Sequence, residues 1–250
     1  MPKDKYYNKA KQEGYRARSA YKLIQMDDER NLLSPSDTVV DLGAAPGGWL
    51  QVEAERAGEV VGVDLQSIDP IDEDGVETVR GDMTEERTLD EIREITGGEV
   101  DVVTSDASPN LTGDWNIDHS RSVHLARSAL ETAEDLLRPG GSFVVKVFQG
   151  DMIDDFRSDV ESSFDYVSTA SPDASRDESS EVYVIGKEYI DAPVEEGEEL
   201  EVDIISEGDE GDGIAKIDGY TLIVKGGDEG ETTEVRVTDL KSGYGFAEKV

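Results

Sequence analysis

The order of apolar and polar positions divides the first three-quarters of the chain into short alternating segments. Thr38-Val39-Val40-Asp41-Leu42 is a compact apolar run that reads as a buried strand. A turn of small residues, Gly43-Ala44-Ala45-Pro46-Gly47-Gly48, follows, and Trp49, Leu50, Val52 and Ala57 then mark a helix. The pattern repeats: strand 60–63 closed by Asp64, strand 76–80, a short helix 88–96 ended by Gly97-Gly98, strand 100–105, and a long helix 118–137 stopped by Pro139-Gly140-Gly141. Strand 142–148, a helix through Ile153, Phe156 and Val160, and strands 164–169 and 182–185 complete it. Upstream, Ala20, Leu23, Ile24 and Met26 fall at helical spacing behind Ser19, a candidate cap. Strands alternating with helices predict an α/β fold: a parallel, doubly wound, Rossmann-like sheet with helices on both faces and a hairpin between its last two strands.

The pattern changes near Tyr189. Residues 191–198 read as an acidic linker, and short alternating runs separated by glycines follow at 200–204, 214–217, 220–224, 235–237 and 244–247. They predict a small antiparallel all-β barrel. The expected organisation is therefore one domain over 1–190, a linker over 191–198, and a barrel over 199–250.

Charge narrows the picture. Asp and Glu number 59 against 24 Lys and Arg, a net charge of −35 over 250 residues. The recurring aliphatic runs exclude disorder for most of the chain. The balance fits a protein adapted to concentrated salt, as in a halophile, where repulsion between carboxylates is screened. Cysteine is absent, which excludes disulfides and thiolate metal sites and fits a cytoplasmic protein. No apolar run approaches the ~18 residues of a membrane span, and a monomer is expected. The charge is also uneven: residues 1–22 carry seven basic and two acidic groups, interleaved with Tyr6, Tyr7 and Tyr15. Cations among aromatic faces make 1–18 a candidate RNA-contacting arm.

Strand, glycine-rich turn and helix form the usual frame of a nucleotide-type cofactor site. The glycine spacing is neither G-x-G-x-x-G nor a P-loop. Asp64 lies 21 residues after Gly43 at the end of the second strand, a position suited to a ribose diol. Two further residues stand out. Lys146 interrupts the apolar run Phe143-Val144-Val145-Lys146-Val147-Phe148, and Asp106 ends the fourth strand, on the rim where such sheets bind ligands.

Asp41-Leu42-Gly43-Ala44-Ala45-Pro46-Gly47-Gly48-Trp49 closely resembles the S-adenosylmethionine signature of the FtsJ/RrmJ (RlmE) family of RNA ribose 2′-O-methyltransferases. Four other stretches resemble the family at the expected places: Arg16-Ala17-Arg18-Ser19-Ala20-Tyr21-Lys22-Leu23, Ser105-Asp106-Ala107-Ser108-Pro109-Asn110, Val145-Lys146-Val147-Phe148-Gln149-Gly150, and Ser180-Glu181-Val182-Tyr183. Ala107-Ser108 departs from the bulkier pair common in the family. The resemblance implies a catalytic set of Lys22, Asp106, Lys146 and Glu181, with Lys146 the proton acceptor, Asp106 its orienting partner, and Lys22 and Glu181 placing the ribose. It also implies S-adenosylmethionine as cofactor, with Gly47 and Trp49 at its methionine end, Asp64 at the ribose, Asp82 at the adenine, and Asp106 in contact with it. The chemistry is consistent with such a set. A ribose hydroxyl is a very weak acid, so its transfer partner must be held in line and its proton taken up. A lysine does this only where burial or a neighbouring cation favours its neutral form.

Gly208-x-x-Gly211-Asp212-Gly213-Ile214-Ala215-Lys216-Ile217 and Gly243-Tyr244-Gly245-Phe246-Ala247-Glu248 resemble a TRAM domain, an RNA-binding, OB-like barrel attached to RNA-modifying enzymes. Residues 193–250 carry 17 acidic and five basic groups, so simple phosphate attraction is not expected there. The expected activity is 2′-O-methylation of a uridine ribose in 23S ribosomal RNA, with ribosomal RNA or the large ribosomal subunit as partner. Transfer RNA methylation, a non-catalytic RNA-binding assembly factor and a nicotinamide-dependent oxidoreductase stand as alternatives. With no cysteine and only His119 and His124, no zinc site is expected.

Overall fold

A computed structural model describes residues 5–175, 180–208 and 211–250. Two helices, α1 (Lys5–Glu13) and α2 (Ala20–Arg30), precede an alternating series: β1 (Thr38–Leu42), α3 (Gly48–Arg56), β2 (Glu59–Asp64), β3 (Val76–Arg80), α4 (Glu86–Thr96), β4 (Val100–Ser105), α5 (Trp115–Leu136), β5 (Leu137–Phe148), α6 (Ile153–Glu161), β6 (Phe164–Ala170) and β7 (Glu181–Tyr189). The seven strands form one sheet in the order β3-β2-β1-β4-β5-β7-β6. β7 runs antiparallel to β5 and β6; the other neighbours are parallel. The sequence placed the strands well because each is a β-branched run bounded by turn residues.

Alternation along the strands sends successive side chains to opposite faces. Phe143, Val145 and Val147 join the core formed with α4, α5 and α6, together with Leu89, Val123, Ala126, Leu130 and Phe156. Val144 packs on the other face with Leu23, Met26, Trp49, Val52 and Tyr183 from α2, α3 and β7. Lys146 follows Val144 by two residues and so emerges on the α2 side at the carboxyl end of β5. Tyr183 lies directly opposite Lys146 in the β5–β7 register.

Three local expectations are corrected. Ser19 sits in the right-handed helical region and makes no side-chain cap, so α2 begins without one. α5 starts at Trp115 rather than Asp118, because Asp114 is the true cap: its carboxylate accepts hydrogen bonds from Asn116 N and Ile117 N. β5 starts at Leu137, and Pro139 and Gly140, the latter at φ +82°, fall within it as an irregularity with a register shift opposite β4 rather than separating helix from strand. The basic arm, for which no helix was expected, contains α1. Its Ala10 is buried beside Tyr21 and Ala174, and contact with those residues orders it.

Beyond Tyr189, strands β8 (Glu199–Asp203), β9 (Ser206–Glu207), β10 (Gly213–Ile217), β11 (Tyr220–Lys225), β12 (Thr232–Leu240) and β13 (Tyr244–Lys249) form a second sheet in the order β8-β12-β13-β11-β10-β9. It curls around Val202, Ile204, Ala215, Leu222, Val224, Val235 and Val237. The sheet is not wholly antiparallel: β13 folds back on β12 and lies parallel to β11. The barrel meets the larger sheet through Lys241, whose ammonium lies 2.7 Å from Asp165 on β6, and through Ser242, which donates to Glu188 on β7 at 3.1 Å. No described helix is long and apolar enough to cross a membrane.

Candidate active site

A cleft of about 750 Å³ opens at the carboxyl ends of β1, β2 and β4. Gly43, Ala45, Asp64, Asp82, Asp106 and Asn110 are among the residues lining it. The first turn requires its glycines. Gly43 has φ +81°, and a Cβ there would lie 2.5 Å from that of Ala107. Gly47 has φ +101° and leads into α3. The turn carries a cis Ala45-Pro46 bond.

Asp64 projects from the end of β2, with one carboxylate oxygen accepting from Ala45 N at 3.0 Å and the other from Gln66 N at 2.7 Å. Its position is thereby fixed, while each oxygen retains a lone pair for a ligand. Asp82 uses Oδ1 for the Thr84 amide and hydroxyl. Gly47 and Trp49 are not among the residues lining the cleft. The Trp49 indole is instead buried, donating from Nε1 to Ser19 O at 2.9 Å and lying 5.7 Å from the Tyr183 ring. Gly47 and Trp49 belong to the start of α3, immediately beyond the cleft turn.

Beside the cleft, four charged groups converge from four separate segments. Lys146 Nζ donates to Asp106 O at 2.6 Å and lies 3.1 Å from Asp106 Oδ1. Lys22 Nζ, from α2, is 3.5 Å from the same oxygen and 2.7 Å from Glu181 Oε1 on β7. The lysine side chains are only 9% and 6% exposed, so each cation is compensated by a carboxylate where water is largely excluded. The structure thus brings Lys22, Asp106, Lys146 and Glu181 together, with Asp106 shared between cluster and cleft.

A fifth member was not singled out from the sequence. Tyr183, fully buried, donates from its hydroxyl to Asp106 Oδ1 at 2.7 Å, and Lys22 Nζ lies 5.6 Å from its ring centroid. Burial, then the charges of Asp106 and Glu181, pushes the phenol well above its ordinary value. It therefore remains a donor to Asp106. Its alternation with Glu181 on one face of the last strand was the available signal.

The basic arm is only partly open to a partner. Arg16 donates to the carbonyls of Pro46, Asp69 and Pro70, and Arg18 to that of Ala174. These guanidinium groups tie the arm to the cleft turn and neighbouring loops. The arm's lysines Lys5, Lys9 and Lys11 are exposed.

Beneath the cleft, two more acids face each other. Asp41 on β1 and Glu53 on α3 are 1% and 0% exposed. Thr104 Oγ1 donates to Glu53 Oε1 at 2.7 Å, while both Asp41 oxygens and Glu53 Oε2 lack a hydrogen-bond partner among the described residues. Burial raises both acids: Asp41 goes well above the ordinary carboxylate range, with Glu53 as the next cause, and Glu53 is pushed up to about 7. Both acids therefore hold a proton more readily than a solvated carboxyl does.

The cleft suits S-adenosylmethionine by the chemistry of its donors. Asp64 offers acceptors for a ribose diol, and Asp82 has an oxygen with no protein partner among the described residues. Leu65, Met83 and Ala107 supply apolar surface for a base.

Comparison with known proteins is consistent with this geometry. Residues 15–189 match the FtsJ-like methyltransferase family and residues 193–250 match the TRAM domain. The ribosomal RNA large subunit methyltransferase E of Natronomonas pharaonis is 61% identical over 249 residues, covering 98% of each chain. That of Halobacterium salinarum is 60% identical over 251 residues, covering 99% of this chain and 97% of the relative. Among solved structures, a Plasmodium falciparum ribosomal RNA methyltransferase aligns with a TM-score of 0.63 and 27% identity, over 70% of this chain and 98% of its own.

Proposed function

The chain belongs to the FtsJ-like methyltransferase family and ends in a TRAM domain, and from that premise we propose that it methylates the ribose 2′-hydroxyl of a uridine in 23S ribosomal RNA. The observation that carries the reading is the buried cluster of Lys22, Asp106, Lys146 and Glu181 at the edge of the cleft.

S-adenosylmethionine, when bound, supplies a methyl group already activated on a sulfonium. The protein's task is to place the acceptor oxygen and remove its proton. Lys146 Nζ, its resting proton given up beforehand, would take the proton of the 2′-hydroxyl as that oxygen bonds to the methyl carbon and the carbon–sulfur bond breaks, the bonding electrons staying on the sulfur of the departing thioether. Asp106 aims that nitrogen through its carbonyl and carboxylate, and Tyr183 holds the carboxylate in turn. Lys22 and Glu181 form an ion pair at the same rim and orient the ribose. Asp64 holds the cofactor's ribose hydroxyls and Asp82 the adenine amine. Trp49 acts through its backbone amide in the first turn of α3, where N–H groups favour a carboxylate, while Gly47, whose own amide donates to Ala44 O at 2.6 Å, serves through the left-handed turn that opens the helix.

In this reading, residues 1–190 form the catalytic domain, 191–198 the linker, and 199–250 a barrel that holds structured RNA. The arm over 1–18 contributes through its lysines. All four catalytic groups come from one chain, so a monomer suffices. The substrate is large-subunit RNA, free or assembled, in the cytoplasm. Mapping ribose methylation in large-subunit RNA from a deletion strain tests the function. One uridine should lose its 2′-O-methyl group and regain it with the wild-type gene but not with Lys146→Ala. An unchanged map would refute the proposal.

A further inference from the structure

Across the loop after β4 and the first turn of α5 the chain exposes three large apolar side chains within seven residues. Leu111 is 67%, Trp115 50% and Ile117 46% exposed, on a protein of net charge −35. Isolated apolar residues on a surface need no explanation, but this group sits on an unusually well-fixed segment. The buried Asp118 carboxylate accepts from Thr112 N and Oγ1 with one oxygen and from Gly113 N with the other. Asp114 caps α5, and Arg121 donates to Asn110 O at 3.2 Å.

Trp115 is the most constrained of the three. Its ring is nearly parallel to that of His119, with centroids 6.5 Å apart and planes inclined by 10°. His119 is itself held at both nitrogens: Met152 N donates to Nε2 at 3.2 Å, leaving Nδ1 as the donor to Phe148 O at 3.0 Å. Phe148 ends the strand that carries Lys146. At the other end of the loop, Ser108 and Asn110 line the cleft. The aromatic face is therefore coupled to the catalytic rim on both sides.

We propose that Trp115, flanked by Leu111 and Ile117, is a stacking platform for an unpaired base of the substrate RNA next to the methylated ribose. This rests on the RNA-methylating function proposed above. A ribose reaches a buried base catalyst only if its nucleotide is splayed from its neighbours, and such nucleotides are recognised by stacking on aromatic faces. Phosphate attraction is a weak source of affinity for a highly acidic protein in concentrated salt. Stacking carries no such penalty, and a ring fixed in advance loses little entropy when the base arrives.

The test uses the full chain in molar potassium chloride with an unmodified transcript of large-subunit ribosomal RNA. The chain has two tryptophans, and Trp49 is buried, so RNA should quench emission from Trp115. Trp115→Ala and Trp115→Leu should weaken RNA binding about tenfold with S-adenosylmethionine affinity unchanged, while Trp115→Phe stays close to wild type. Absence of quenching, or Trp115→Ala binding within about twofold of wild type, would overturn the platform. So would a loss seen with assembled large subunits but not with the bare transcript, because the patch would then meet a ribosomal protein. A wild-type protein that binds and is quenched but transfers no methyl would refute the proposed function and leave the platform standing.

Discussion

Replacing Glu53 with glutamine should remove a pH dependence of stability that originates directly beneath the cleft. Glu53 is fully buried, bonded only through Oε1 to Thr104, and shares its surroundings with Asp41. Burial raises it from its ordinary 4.5 to about 7. Between these values the unfolded chain has lost the proton and the folded protein retains it. Stability therefore falls as pH rises across the interval, by about 1.4 kcal/mol per unit or ~3 kcal/mol in all. The contribution is fully present below pH 4.5 and gone once the folded carboxyl ionises, above about 7. Glutamine keeps the acceptor for Thr104, cannot ionise, and adds a donor among oxygens that have none. Thermal or denaturant unfolding in molar potassium chloride, repeated at pH 5 and pH 8, measures the difference between the two proteins. The variant should gain ~3 kcal/mol relative to wild type at the higher pH, or roughly 6–12 °C for a domain of this size. Parallel stability curves would mean that Glu53 has the same protonation in the folded and unfolded chains, and would refute its raised proton affinity.

Lys146→Ala should reduce single-turnover methyl transfer by at least ~10²-fold, the usual scale of a positioned base, with calorimetric affinity for S-adenosylmethionine nearly unchanged. Activity within about tenfold of wild type would remove Lys146 from that role. Asp64→Ala should weaken S-adenosylmethionine binding by ~1.5–3 kcal/mol, as read by titration calorimetry; unchanged affinity would place the cofactor ribose elsewhere. Tyr183→Phe deletes the 2.7 Å hydrogen bond to Asp106 and should lower kcat by roughly tenfold with little change in KM for RNA. Removing residues 193–250 should raise KM for ribosomal RNA and spare kcat. Collapse of kcat would show that the Lys241–Asp165 contact supports the catalytic sheet itself.

Much of this protein was legible in local sequence. β-Branched runs bounded by glycine and proline gave the strands, and alternation within Phe143–Phe148 isolated Lys146 as a polar group in an apolar strand. Asp64 and Asp106 could be placed at strand ends from their position alone. Lys22 and Glu181 could not: one lies on an early helix and the other on the seventh strand, and only family resemblance joined them before the fold did. Their ion pair depends on α2 packing against the sheet face that carries Lys146 and Tyr183.

Tertiary structure decided which chemically expressive residues are spent on architecture. Trp49 lies inside the cofactor signature, yet its indole packs behind Tyr183. Arg16 and Arg18 lie in a basic arm, yet they bind backbone carbonyls. Asp41 and Glu53 are twelve residues apart, on a strand and a helix, and nothing in their spacing marks them as a buried pair. Periodicity specifies the face of an element on which a side chain lies. What approaches that face depends on the packing of distant segments, and that packing sets burial, hydrogen-bond partners and proton affinity.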